Sequence, residues 1–137
     1  MRPVYLYLIA LVIFFTIDFV WLGFVAKNFY AERMGAIMRD SPKLSVAALF
    51  YAVYVIGLIY FAVWPAFNGG GWTQAALNGA FFGFFAYLTY DATSYSVVEG
   101  FDPVVAVVDT VWGTIITGFT AATTVWIGAL IWEPSAS

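Results

Sequence analysis

Four long apolar runs dominate the sequence and determine most of what the chain can fold into. They cover approximately residues 3–25, 44–64, 74–97 and 103–132. Each meets the length of about 20 residues that a helix needs to cross the hydrocarbon core of a bilayer. The runs predict an all-α integral membrane protein built as a four-helix bundle, in a single domain spanning residues 1–137.

The composition supports this class and excludes several others. Hydrophobic residues make up 64% of the chain and charged residues only 9%, which an ordinary soluble domain does not show. The chain has neither cysteine nor histidine, so disulfides, Cys/His zinc sites, histidine-ligated haem and imidazole triads are excluded. No basic tract indicates nucleic-acid binding.

Prolines mark the ends of the runs. Pro42, Pro65, Pro103 and Pro134 lie at the predicted boundaries. Because proline lacks an N–H and its ring clashes with the preceding turn, we expect helices to start or stop at these positions.

Basic residues concentrate between the first two runs, in the segment 27–43. This segment holds Lys27, Arg33, Arg39 and Lys43, with apolar residues at helical spacing between them. The pattern predicts a short amphipathic helix at the membrane surface, and a solvated basic loop is the alternative. Since basic loops favour the cytoplasm, we expect this segment inside and both termini outside.

Three aspartates lie within the apolar runs. A carboxylate at the centre of a membrane helix costs roughly 2.5–3.5 kcal/mol, so such residues usually face a bundle interior or a wet cavity. At about 1.5 Å of rise per residue, Asp18, Asp91 and Asp109 each fall about 10 Å from the cytoplasmic helix ends. We therefore predict one functional cluster of three acids at a common depth.

Helical periodicity places polar and aromatic residues beside these acids. In the fourth run, Asp109 shares an arc with glycine and a series of threonines, which favours close helix packing and hydrogen bonding. The spacing Asp18-x-x-Trp21 and Asp109-x-x-Trp112 brings each indole near a carboxylate. Tyr51 and Tyr54 in the second run are interpreted as packing residues, and the alternative is that their hydroxyls turn inward. The predicted supporting residues are Trp21, Tyr87, Tyr90, Thr93, Ser94, Trp112 and Thr114.

No lysine or arginine lies within the runs to neutralise the three acids. Either at least one acid is protonated at neutral pH, or a bound cation supplies the positive charge. Carboxylates and hydroxyls are ligands for hard cations, so Asp18, Asp91 and Asp109 are also candidate ligands for Na⁺, Mg²⁺, Ca²⁺ or Mn²⁺.

Three segments centred on the acids resemble a known family. They are Asp18-Phe-Val-Trp21-Leu-Gly23, the stretch from Gly83 to Thr93 that contains Thr89-Tyr-Asp91, and Asp109-Thr-Val-Trp112-Gly113-Thr114. In this order they resemble the uncharacterised bacterial membrane family called domain of unknown function 2177. The resemblance implies a four-helix protein of the bacterial inner membrane and assigns no substrate. Members of that family often carry asparagine where this chain has Ser94.

Three functions remain open. The first is a small cation- or proton-coupled transport unit, which we expect to be oligomeric because four helices are few for a transport path. The second is an accessory or scaffold subunit of a larger membrane complex, with the acids locking helices together. The third is a membrane-embedded enzyme that uses aspartates as general acid and base on a lipid or isoprenoid. The motif Gly79-x-x-x-Gly83 is a candidate contact, either between copies or within one chain.

Overall fold

A computed structural model describes residues 2–25, 29, 32 and 44–131, and all regular structure in these residues is helical. Helix α1 (Arg2–Val20) continues as a π-helical turn, Trp21–Val25. Helix α2 (Leu44–Leu58) is followed by a second π-helical turn, Ile59–Val63, and by the short helix α3 (Trp64–Gly69). Helices α4 (Gly71–Val97) and α5 (Pro103–Ile131) complete the order.

Three of the helical stretches are long and apolar enough to cross a membrane. They are Pro3–Val20, Ala48–Gly69 and Pro103–Ile131, with mean hydropathies of 2.2, 1.9 and 1.6. Helix α4 is 27 residues long, which is about 40 Å, but it is not one of the three stretches that are apolar enough to be candidate spans. The predicted third run is therefore confirmed as a helix, and its crossing of the bilayer stays a prediction.

The predictions at Pro103 and Pro65 are both confirmed, because a helix begins at or directly before each of these positions. Pro103 begins α5, and the Asp102 carboxylate caps this end by accepting hydrogen bonds from the Val104 and Val105 N–H groups at 2.7 and 3.2 Å. Pro65 lies in the first turn of α3, and the helical stretch that contains it continues to Gly69, five residues beyond the predicted end near Trp64. The π-helical turn directly before it widens the backbone, which accommodates the proline ring and its missing N–H.

Helices α4 and α5 approach each other closely along a seam of small residues. A methyl group placed on Gly83 would lie 2.4 Å from the Gly113 carbonyl oxygen, and one on Gly79 would lie 2.8 Å from the Thr117 carbonyl oxygen. The motif Gly79-x-x-x-Gly83 thus forms a contact within the chain, so it is not available as the contact between copies that the sequence left open.

The opposite side of the core is built from larger side chains. Helix α1 packs on α5 and on α2, and it buries Leu6, Ala10 and Phe14 completely. The Phe14 ring contacts the rings of Tyr51 and Tyr54 on α2 at centroid distances of 5.5 Å. The two sides of the core therefore differ in how closely the backbones approach.

The predicted amphipathic helix 27–43 falls almost wholly outside the described residues. Of the span from 26 to 43, the structure describes only Phe29 and Glu32, and none of the four basic residues.

Candidate functional site

Asp18 is held by side chains from two other helices. It is 4% exposed, and its Oδ1 accepts a hydrogen bond from the Trp112 indole N–H of α5 at 3.1 Å. Its Oδ2 accepts a hydrogen bond from the Tyr51 hydroxyl of α2. Both carboxylate oxygens therefore have a donor, and the residue joins α1, α2 and α5.

The two tryptophans of the repeated Asp-x-x-Trp pattern stack on each other. The rings of Trp21 and Trp112 lie 4.3 Å apart at an interplanar angle of 10°. Trp112 donates its N–H across the helix pair to Asp18. The expectation that an indole N–H donates to a carboxylate is therefore confirmed for Trp112, but the carboxylate belongs to Asp18 on a different helix.

Asp91 and Asp109 form a second group, between α4 and α5. Asp91 is 1% exposed, and its carboxyl group is close enough to that of Asp109 for the two to interact directly. The Thr110 hydroxyl lies 3.1 Å from Asp91 Oδ2, and it also lies 2.9 Å from the Ala106 carbonyl oxygen. Asp91 Oδ1 is buried and has no hydrogen-bond partner in the described part of the chain.

Tyr87 stands between the two groups. Its phenol lies within electrostatic range of both Asp18 and Asp109. Its ring covers Gly113 so closely that a methyl group there would fall 2.1 Å from the ring carbon Cγ. Glycine at position 113 is therefore what lets the tyrosine reach between the acids.

All three acids lie at the level of one turn of α5. Asp18 contacts Trp112, Asp91 contacts Thr110, and Asp109 belongs to the same turn. This agrees with the predicted common depth. The hydrogen bonds of Asp18 and of Asp91 go to different residues, and a single functional cluster of the three acids stays a prediction.

Buried hydroxyls continue from the acid pair along α5. Thr117, Thr120 and Thr124 are completely buried, and Thr110 is nearly so. The Thr117 hydroxyl lies 3.0 Å from that of Tyr54. The hydroxyls of Thr120 and Thr124 have no hydrogen-bond partner among the described residues. We call this set, from Thr110 to Thr124, the hydroxyl stripe.

The remaining predicted residues lie at the edge of the site. Thr114 is half-buried, and its hydroxyl donates to the Thr110 carbonyl oxygen at 2.9 Å. Ser94 is half-buried and hydrogen-bonds with Tyr90, which is 61% exposed and lies within electrostatic range of Asp91 and Asp109. Thr93 is exposed on α4. The structure thus brings Thr114, Ser94 and Tyr90 near the acid pair, and it turns Thr93 outward.

Sequence reasoning missed two tyrosines of the site. Tyr51 and Tyr54 were expected to pack, yet their hydroxyls contact Asp18 and Thr117. A signal was present, since two tyrosines three residues apart lie near one face of an otherwise apolar helix. Their partners on other helices could not be chosen from that spacing.

The described residues contain no group of three or more acidic side chains arranged to hold a metal ion. The separation of Asp18 from the Asp91–Asp109 pair agrees with this. Binding of Na⁺, Mg²⁺, Ca²⁺ or Mn²⁺ at the three acids stays a prediction without support from this arrangement.

The long apolar helices and the acids held between them define a helical membrane protein with a buried polar site. Comparison with known families agrees, because a model described as "Predicted membrane protein (DUF2177)" matches residues 3–126. The chain belongs to this family, as its three acid-centred segments indicated. No curated protein and no solved structure matches it.

Proposed function

We propose that this protein carries protons across the bacterial inner membrane. In this proposal the four predicted runs form a transmembrane bundle, the segment 27–43 is a cytoplasmic interfacial helix, and both termini lie outside. Asp91 and Asp109 are the proton-binding pair. The observation that carries the proposal is the position of this pair, with Asp91 buried and Asp109 half-buried, at one end of the hydroxyl stripe.

The acid pair is suited to hold a proton. Two adjacent carboxylates repel strongly when both are ionised in a low-dielectric interior, and a single shared proton removes that repulsion. Among the described residues no lysine or arginine faces the pair. In the proposal, a proton provides the compensation that a basic side chain would provide elsewhere.

The geometry at Thr110 fits a protonated partner. A hydroxyl has one hydrogen, and Thr110 has acceptors at both Ala106 and Asp91. If the hydrogen is donated to the closer Ala106 carbonyl oxygen, Asp91 must supply the hydrogen of the second bond. Thr110 thus joins the proton-binding pair to the backbone of α5 and to the start of the hydroxyl stripe.

The hydroxyl stripe provides a route away from the pair. From Asp109 to Thr124 it covers about 22 Å of the helix axis, against a hydrocarbon thickness of about 30 Å. Hydroxyls both donate and accept, so the stripe, with Tyr54 beside Thr117, can pass a proton when water bridges the gaps between its members. Within the described residues the hydroxyls of Thr120 and Thr124 have no partner, so they can bind such water, and leaving them unsatisfied would be costly.

A proton fits these contacts better than a hard cation. Ca²⁺ takes about six to eight oxygen ligands and Mg²⁺ takes an octahedral set, whereas a shared proton requires only two oxygens. The stripe also lies within one chain, so the proposal needs no second copy. An oligomer or a larger complex remains an expectation from the sequence.

A flux assay tests the proposal. The purified chain is reconstituted into liposomes that contain a pH-sensitive dye, and a potassium diffusion potential drives protons inward. We expect acidification with the wild type and none above empty liposomes with Asp91→Asn or Asp109→Asn. Glu99→Gln is the matched control, because it removes an exposed acid outside the site and should conduct as the wild type does.

Two results would overturn the proposal. One is a folded wild type that gives no more flux than empty liposomes. The other is proton flux at the wild-type rate in both single variants, Asp91→Asn and Asp109→Asn, when each is folded. Circular dichroism and gel filtration of each variant establish that it is folded before reconstitution.

A further inference from the structure

An apolar groove lies between α1 and α5 on the side that faces away from the bundle interior, next to Asp18. Its volume is about 440 Å³, and it is lined by Thr16, Ile17, Val20, Trp21 and Trp112. Only apolar surface is exposed inside it. The size falls within the range of sites that hold small molecules.

Four of the five lining residues, Thr16, Ile17, Val20 and Trp112, lie in candidate membrane spans, and Trp21 directly follows the first of these spans. α1 and α5 both contain candidate membrane spans. Neighbouring apolar side chains on the same helices point outward, with Phe19 69% exposed and Ile115 58% exposed. Hydrocarbon is therefore the medium into which the groove opens.

The stacked indoles give the groove a firm wall. Trp112 is fixed by its hydrogen bond to Asp18, and Trp21 stacks against it. A fixed apolar concavity loses less entropy on binding than one that must first be ordered. The groove can thus hold one flexible chain in a defined place, where a flat helix face cannot.

We propose that this groove binds one acyl chain of a membrane phospholipid. The site is distinct from the proton-binding pair, and the proposal stands whether or not the protein conducts protons. Because Trp112 both lines the groove and donates to Asp18, the bound chain packs directly against a residue that orients the buried carboxylate.

Photocross-linking of the full chain tests this assignment. The protein is placed in lipid nanodiscs containing a phosphatidylethanolamine with a diazirine in its acyl chain, and adducts are mapped by peptide mass spectrometry after illumination. We expect adducts to concentrate on the peptides that contain Thr16 to Trp21 and Trp112. The exposed side chains Phe81 and Phe85 of α4, which do not line this groove, provide the background level.

Filling the groove should remove the enrichment. Thr16→Phe and Val20→Phe each place a ring in it, and both should reduce adducts there to the level at Phe81 and Phe85. Val12→Phe is the matched control, because Val12 lies on the same helix, is 64% exposed and does not line the groove. It should leave the enrichment unchanged.

Other outcomes overturn the assignment. Adducts at background level in the wild type, or an enrichment that persists in both filling variants, would show that no acyl chain is held there. Cross-links from the groove to residues 26–43 or to a second copy would show that protein covers it. An enrichment obtained only with a diazirine-bearing isoprenoid lipid would assign a different occupant.

Discussion

Asp18 and Asp91 are the same residue type at the same level of the fold, and their surroundings differ sharply. Asp18 receives a donor on each oxygen, from large aromatic side chains on two other helices. Asp91 has a threonine and a second acid beside it, and one of its oxygens lacks a partner among the described residues. Asp18 thus joins three helices with both oxygens satisfied, whereas Asp91 is hydrogen-bonded only to α5 and has one oxygen without a donor among the described residues.

The two sides of the core hold their acids by different means. Around Asp18, the contact between helices is made by side-chain rings and two hydrogen bonds. On the Asp91 side, α4 and α5 approach each other most closely at the glycine seam, about two helical turns along α4 from the acid. If the glycine seam holds α4 and α5 together, Asp91 can change its protonation state without separating these helices. This difference makes the role of each acid testable by stability measurements.

The largest loss of stability is expected for Asp18→Leu. The substitution leaves the Tyr51 hydroxyl and the Trp112 N–H without an acceptor, and each orphaned donor costs about 1–3 kcal/mol. Unfolding in mixed micelles, followed by tryptophan fluorescence, measures the change. If Asp18→Leu unfolds at the wild-type denaturant concentration, Asp18 does not join the helices.

The glycine seam should respond to a single methyl group. Gly83→Ala places that group 2.4 Å from the Gly113 carbonyl oxygen, so α4 and α5 must separate, at a cost of about 1–3 kcal/mol. Gly69→Ala is the control, since no atom lies within 4 Å of the added carbon there. The same unfolding assay applies. Equal midpoints for the two variants would contradict the assignment of the seam as the contact that holds the acid pair.

Much of the fold follows from the sequence alone because apolar length and capping are local properties. The run predicted at 103–132 became α5, Pro103–Ile131, with Asp102 and Pro103 defining its start. The threonine arc of this helix was also predicted, since helical periodicity determines which residues share a face. The end predicted for the second run near Trp64 came too early, because the π-helical turn before Pro65 joins α2 to α3, and apolar composition carries no signal for such a turn.

The partners of the acids could be predicted only in part. Periodicity places Asp18 and Trp21 near one face of α1, but it cannot determine which helix faces them. Trp112 therefore was expected to serve Asp109 and instead donates to Asp18. Tyr51 was interpreted as packing for the same reason, because a tyrosine hydroxyl finds its partner only when the helices are assembled.

The two donors to Asp18 should act together. Tyr51→Phe and Trp112→Phe each remove one hydrogen bond to the carboxylate and keep most of the ring, so each should cost about 1–2 kcal/mol. Because both bonds end on one residue, the double variant should depart from the sum of the single variants. The four unfolding free energies of the cycle measure this. A strictly additive cycle would indicate that the two donors do not share Asp18.

The smallest effect on stability is expected for Asp91→Asn. The amide keeps an oxygen that can accept from Thr110, and its NH₂ group can donate to the neighbouring Asp109 carboxylate. Replacing one acid also removes the repulsion within the pair. The free energy of unfolding should therefore stay within about 1 kcal/mol of the wild type, or rise. A loss as large as that of Asp18→Leu would show that Asp91 is a structural fastener as well, and the contrast between the two acids would fail. If Asp91→Asn keeps the wild-type stability and loses proton flux, Asp91 is required for proton transfer and not for holding the helices together.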